Sequence, residues 1–187
     1  MTDDISPEAR RLLEKIVPPP YSPPQLYLEL ARNEAVVRSF IEGPIAGLRG
    51  LMHTGQVTQG DRELCILRVT ARKRAAHEWG VHVAYLGRTS GLSPSQVEAT
   101  ATDAAPAPAW NARQRAVLAI ADAVADCREF TMDESGLVES ELSPADRIEF
   151  VALASLYLGI AAMCRVLRVP VEPGTPTLPG CTTPAGS

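Results

Sequence analysis

The sequence predicts an all-α fold, and three observations carry that expectation. Helix-start signals recur along the chain, apolar residues fall at helical spacing, and no segment sustains the alternation of a half-buried strand. The starts are Ser6-Pro7, Ser22-Pro23-Pro24-Gln25, Ser93-Pro94-Ser95-Gln96, Asn111 through Gln114 and Ser143-Pro144. Each sets a capping side chain ahead of proline, or ahead of a residue able to close a capping box, where the first amides of a helix lack partners.

In chain order, helices are expected near 6–17, 23–41, 44–53, 60–72, 74–88, 94–102, 112–128 and 144–167. The first two follow the Ser6 and Ser22 signals, and Gly43 and Gly91 fit the stops of the second and fifth. The sixth follows Ser93. In the seventh, QRAVLAIADAVADC, residues Val117, Ile120, Ala121 and Val124 share one face while Asp122 and Asp126 fall on another. The last contains FVALASLYLGIAAMC (150–164), which falls short of the roughly 20 residues needed to cross a bilayer and is bounded by Glu149 and Arg165. It reads as a buried helix, and no membrane role is expected.

At 187 residues the chain fits a single domain, 1–187. Ten of its sixteen prolines sit in VPPPYSPPQ (17–25) and VPVEPGTPTLPGCTTPAGS (169–187). Proline lacks an amide donor and fixes φ, so these stretches read as an extended linker and an irregular C-terminal tail. Eighteen basic against twenty-two acidic residues leave a net charge of -4, which argues against nucleic acid as a partner. The N-terminus, MTDDISPEARR, has acids where a secretory signal has bases, so a cytoplasmic protein is expected. The cysteines at 65, 127, 164 and 181 show no metal-ligand spacing and read as buried thiols, apart from Cys181 in the tail; no metal site is expected.

The densest chemistry is RAAHEWGVH (74–82), which holds two of the three histidines and one of the two tryptophans. On a helix Glu78 and His82 share a face, whereas His77 and His82 point to different sides. A carboxylate in reach of an imidazole is a usable acid/base unit, and equally a common structural hydrogen bond.

The stretch from Asp61 to Ser93 resembles the carboxymuconolactone decarboxylase and AhpD-like family. The resemblance rests on E-L-x-I-L-R-V (63–69), on H-E-W-x-x-H (77–82) where Y-E-W-x-x-H is common, and on G-L-S (91–93). It covers about residues 45–130 and implies an AhpD-like helical subunit of about six to eight helices, assembled as a homotrimer or homohexamer with the active site near subunit contacts. The peroxidase-like branch of that family carries E-x11-C-x2-C-x3-H. Laid on this chain the pattern runs Glu63, Ala75, Glu78, His82, with the spacing intact and both cysteines absent. A thiol peroxidase is therefore disfavoured, since no thiolate stands at those positions. The decarboxylase branch has glutamate at the second cysteine position and keeps the histidine, as here.

The resemblance implies a lyase that needs no cofactor. Its catalytic residues would be His82 as proton donor or relay, Glu78 as the group that holds its tautomer or acts as base, and Glu63 in support. Arg72, Lys73 and Arg74 precede the helix and can attract an anionic small molecule, helped by the helix N-terminus, and Arg68 is a further binding candidate. His77 stands where the common tyrosine would line the pocket, and also suits a surface position; Trp79 is a further substrate-binding candidate, although it suits the core better than a cofactor platform. Isomerisation or dehydration of another small acid by the same groups, and a helical oligomer that binds a ligand without turnover, are the rival expectations.

Overall fold

The computed structural model describes residues 5–43, 50–102 and 110–181, and among these all regular structure is helical. The chain falls into two compact units, Met1–Gly55 and Gln56–Ser187.

The first unit holds α1 (Pro7–Ile16), α2 (Gln25–Leu30), α3 (Glu34–Glu42) and the single turn α4 (Leu51–Thr54). Ser6 caps α1 by accepting from the amide of Ala9, and α1 packs on α3 with Ala9, Leu12, Leu13, Val37 and Phe40 buried. The single helix expected over 23–41 is two. Asn33 is extended, and its side chain accepts from the Val36 amide, so a residue that competes for backbone hydrogen bonds starts a new helix. Ser22 is no cap, because α2 begins after Pro24. Most of the helix expected over 44–53 lies outside the described residues.

The second unit is built on α5 (Gln59–Arg72), which packs against α6 (Ala76–Tyr85), α7 (Pro94–Ala101), α8 (Ala112–Ala125) and α10 (Pro144–Val166). A short 3-10 turn, Gly87–Thr89, follows α6. Helix α5 is buried on nearly every side, with Leu64, Cys65, Ile66, Leu67 and Val69 at 0% exposure, so it is the axis of the core. Arg68 clamps α5 to α8 through both oxygens of Asp122 at 2.6 and 3.0 Å, and Arg113 on α8 reaches Asp61 at 2.8 Å and Asp146 at 3.2 Å.

Four differences from the sequence-based expectations stand out. Residues Met132–Glu141 form α9, which had no counterpart in those expectations, although Thr131 and Glu134 close a full capping box at its start. Only Val138 of α9 is buried, so no apolar stripe announces it. Cys127 is exposed rather than buried; it stands just past the end of α8 in a left-handed conformation (φ 51°). Helix α10 buries one face, including Phe150, Leu153, Tyr157, Ile160 and Cys164, but leaves Ile148, Val151 and Val166 in solvent. By length and composition it could cross a membrane, yet it is the helix that closes the core over α5 and α8. Finally, the described part of the proline-rich tail, 169–181, lacks regular structure but is packed: Leu178 is 2% exposed in a cluster with Leu67, Ala71 and Trp79.

Candidate active site

The motif residues converge where α5 and α6 meet. Glu63 lies on the first half of α5, while Glu78 and His82 lie one turn apart on α6. The His82 Nδ1 is 2.7 Å from Glu63 Oε2, and its Nε2 is 3.4 Å from Glu78 Oε1. The first contact is a short hydrogen bond; the second is a looser ionic approach. Both ring nitrogens thus face carboxylates, and Tyr157 of α10 meets the imidazole edge-on with centroids 5.1 Å apart.

All three polar side chains are buried: Glu63 is 1% exposed, His82 4% and Glu78 8%. Burial opposes charge on His82, but the hydrogen bonds and charges of Glu63 and Glu78 outweigh it and raise the imidazole pKa to about 9. The ring is therefore an imidazolium at neutral pH, with Nδ1–H donating to Glu63 and Nε2–H turned toward Glu78. Glu63 Oε1 is buried with no hydrogen-bond partner among the described residues, which leaves a free acceptor beside the ring.

Two neighbours on α10 complete the site, and sequence reasoning missed both. Tyr157 is one; Cys164 is the other, its Sγ 3.9 Å from Glu78 Oε2. They are seven residues apart, hence on one face of α10, the signal that could have paired them but not tied them to His82. Burial and the Glu78 charge raise the Cys164 thiol well above its ordinary value, and burial pushes Cys65 up to about 12. Neither is an activated thiol.

The remaining expected residues are placed elsewhere. His77 is 3% exposed, and its Nδ1 lies 2.7 Å from the Pro170 carbonyl; since a carbonyl only accepts, Nδ1 carries the proton. Trp79 points into the tail cluster and donates from Nε1 to Thr100 Oγ1 at 3.2 Å. Arg68 is committed to Asp122 and the Thr100 carbonyl, and Arg72 to Asp126 at 2.5 Å. Arg74 holds the Gly180 carbonyl of the tail. The arginine run therefore does not gather around His82, because helix-to-helix and helix-to-tail contacts take its members in different directions. Among the described residues no group of three histidine, cysteine, aspartate or glutamate side chains is arranged to hold a metal ion.

Residues 41–123 match the profile of the carboxymuconolactone decarboxylase family. The fold is similar to a crystal structure from Agrobacterium tumefaciens described as a protein of unknown function and a suggested antioxidant defence protein, AhpD. That likeness has a TM-score of 0.58 at 18% identity and covers 65% of this chain and 83% of the other. No curated protein matches the chain.

Proposed function

We propose, for a chain whose residues 41–123 carry the carboxymuconolactone decarboxylase family match, a lyase that works without a cofactor on a small carboxylated lactone or related unsaturated acid. One observation carries this reading: a buried imidazole held at Nδ1 by Glu63, with its Nε2 directed to the more open side, where Glu78 stands. Loss of carbon dioxide leaves the bonding electrons on carbon, where a conjugated carbonyl spreads them as an enolate. His82 then delivers its Nε2 proton to that carbon, and Glu78 returns a proton to the imidazole from water. Glu63 keeps the ring oriented and keeps it charged, so the proton is present when the carbanion forms. The substrate approaches from the Glu78 side, since the Glu78 side chain is 10% exposed against 1% for Glu63.

The peroxidase reading, suggested by the description of the Agrobacterium structure, is less well supported. Ala75 and Glu78 occupy the positions where that chemistry places its thiols, and the Cys164 thiol that does approach the site is held protonated by burial and by Glu78. We further propose that the chain works as a homotrimer or homohexamer, with the exposed apolar face of α10 (Ile148, Val151, Val166) among the surfaces that meet.

The test is to incubate the protein with a panel of carboxylated lactones and unsaturated acids and follow substrate loss and carbon dioxide by NMR. Turnover that His82→Ala abolishes supports the lyase. Tight binding of a panel member without turnover, unaffected by His82→Ala, would instead identify a binding protein.

A further inference from the structure

A cavity of about 390 Å³ opens on the far end of α6 from His82, between the ends of α5 and α10. Its polar lining is Arg74, His77, Cys164, Arg165 and Arg168, and among the described residues no carboxylate side chain lines it. Glu172 follows the lining residue Val171 in the chain, and Glu78 is buried and reached through the Cys164 thiol.

Two features make this cavity a receptor for negative charge, and a third supplies an acceptor for a phosphate hydroxyl. The first is uncompensated cation: Arg74 and Arg165 each bond a backbone carbonyl, at Gly180 and Lys73, and no ion pair among the described residues engages them or Arg168. A guanidinium has five donors, so each keeps several for a ligand. The second is the N-terminus of α6. Its cap residue, Ala75, offers no side-chain acceptor, so the amides of Ala76, His77 and Glu78 enter the helix without a capping partner and present the positive end of the helix dipole. The third is His77, which is 97% buried by its 3% exposure and lines the cavity while its only bonded ring atom, Nδ1, is taken by the Pro170 carbonyl. With the proton on Nδ1, its Nε2 bears a lone pair and offers an acceptor for the hydroxyl of a hydrogen phosphate.

Two of the arginines also hold conformations that disfavour them. Arg74 (φ 54°) and Arg168 (φ 53°) each sit just past a helix C-terminus in the left-handed region, where the next amide returns to the helix, Ala75 to the Thr70 carbonyl and Val169 to the Cys164 carbonyl. Glycine is the usual occupant of such positions.

We propose that this cavity binds a phosphoryl group, as the dianionic end of a small phosphomonoester or as free phosphate. Guanidinium groups from separate chain segments, together with amides along the α6 axis, suit a tetrahedral oxyanion with three free oxygens better than a planar carboxylate. The site is independent of the lyase reading, because it is tested by binding and not by turnover.

The experiment is calorimetric and NMR titration of the full chain with inorganic phosphate at low ionic strength, with succinate as the planar dicarboxylate comparator. Saturable phosphate binding with a shift of the His77 ring nitrogens is expected, with succinate weaker. Arg168→Gly should weaken phosphate binding about tenfold, as loss of one charge-assisted contact does, while the variant melts no lower than the parent. Arg165→Gln should weaken it similarly, and Arg11→Gln, on the exposed surface of α1, should not. Absence of saturable binding, or equal weakening by Arg11→Gln, would overturn the proposal. Succinate binding as tightly as phosphate would show a general dianion site and overturn the choice of ligand.

Discussion

At the scale of single residues, the arrangement turns on a cation enclosed by acids. His82 contributes stability through a raised pKa, so that contribution is complete below pH 6.5, its ordinary value, and is lost as pH climbs through about 9. Glu63 on α5 and Glu78 on α6 are the charges that face it, with Tyr157 against the ring from α10. Glu63→Gln should therefore cost about 2–3 kcal/mol near neutrality and progressively less toward about pH 10. Chemical denaturation of parent and variant across that range checks it; a difference that does not change with pH would mean the ring is neutral throughout. The positions of Glu63, Glu78 and His82 were legible because their spacing survives a helix-to-helix contact: two lie one turn apart, and the third sits in a recognisable neighbouring segment. Tyr157 and Cys164 were not, since nothing local in α10 says which distant side chain it will cover. The partners of Arg68 and Arg72 were hidden for the same reason, although Asp122 and Asp126 stood out as the polar face of their helix.

Among the elements, α6 and α9 mark what sequence patterns can and cannot carry. Gly80 lies where α6 passes under the tail: a Cβ there would stand 2.8 Å from the Pro176 carbonyl oxygen and 3.0 Å from Thr175 Oγ1. Alanine would favour the helix by up to about 1 kcal/mol, but backbone cannot yield as a flexible side chain can. Gly80→Ala should thus lower stability by about 1–3 kcal/mol and increase amide exchange across 174–179; a variant more stable than the parent would show that the tail is loosely held. For α9 the capping box is the chief sequence signal, and Thr131→Ala should cost about 1 kcal/mol. Its Glu134 carboxyl is held down to about 2, first by Arg128 and then by the Thr131 amide and hydroxyl against the effect of burial. The depressed value means this support is present above the ordinary 4.5 and is lost as pH falls through about 2. The pair is largely exposed, so its share is small. Recognition of α9 failed because a helix that buries one residue has no periodic face, and the break at Asn33 failed to show because flanking apolar residues kept helical spacing on both sides.

For the whole molecule, the proline-rich tail matters beyond its composition. The absence of regular structure was legible, since proline cannot enter a helix interior, but its docking was not, because Leu178 finds Leu67, Ala71 and Trp79 only after α5 and α6 have packed. A chain ending at residue 168 should expose Trp79, with red-shifted tryptophan emission and a melting temperature lower by several degrees. Unchanged emission would mean that the tail contributes nothing to the Trp79 environment. Assembly is the larger question at this scale: light scattering should give a mass three or six times that of the 20.0 kDa chain, and Ile148→Glu together with Val151→Glu should reduce it. A monomeric parent would remove the α10 face from consideration.

The Cys164 thiol, 3.9 Å from Glu78 Oε2, gives the molecule an optical handle on its own chemistry. The S–H stretch absorbs in a window of the infrared that water and other protein groups leave nearly clear, and its frequency follows the strength of the acceptor. Protonation of Glu78, or displacement of its carboxylate by a ligand, would shift that band without any label, so the charge state beside His82 can be watched in the unmodified chain.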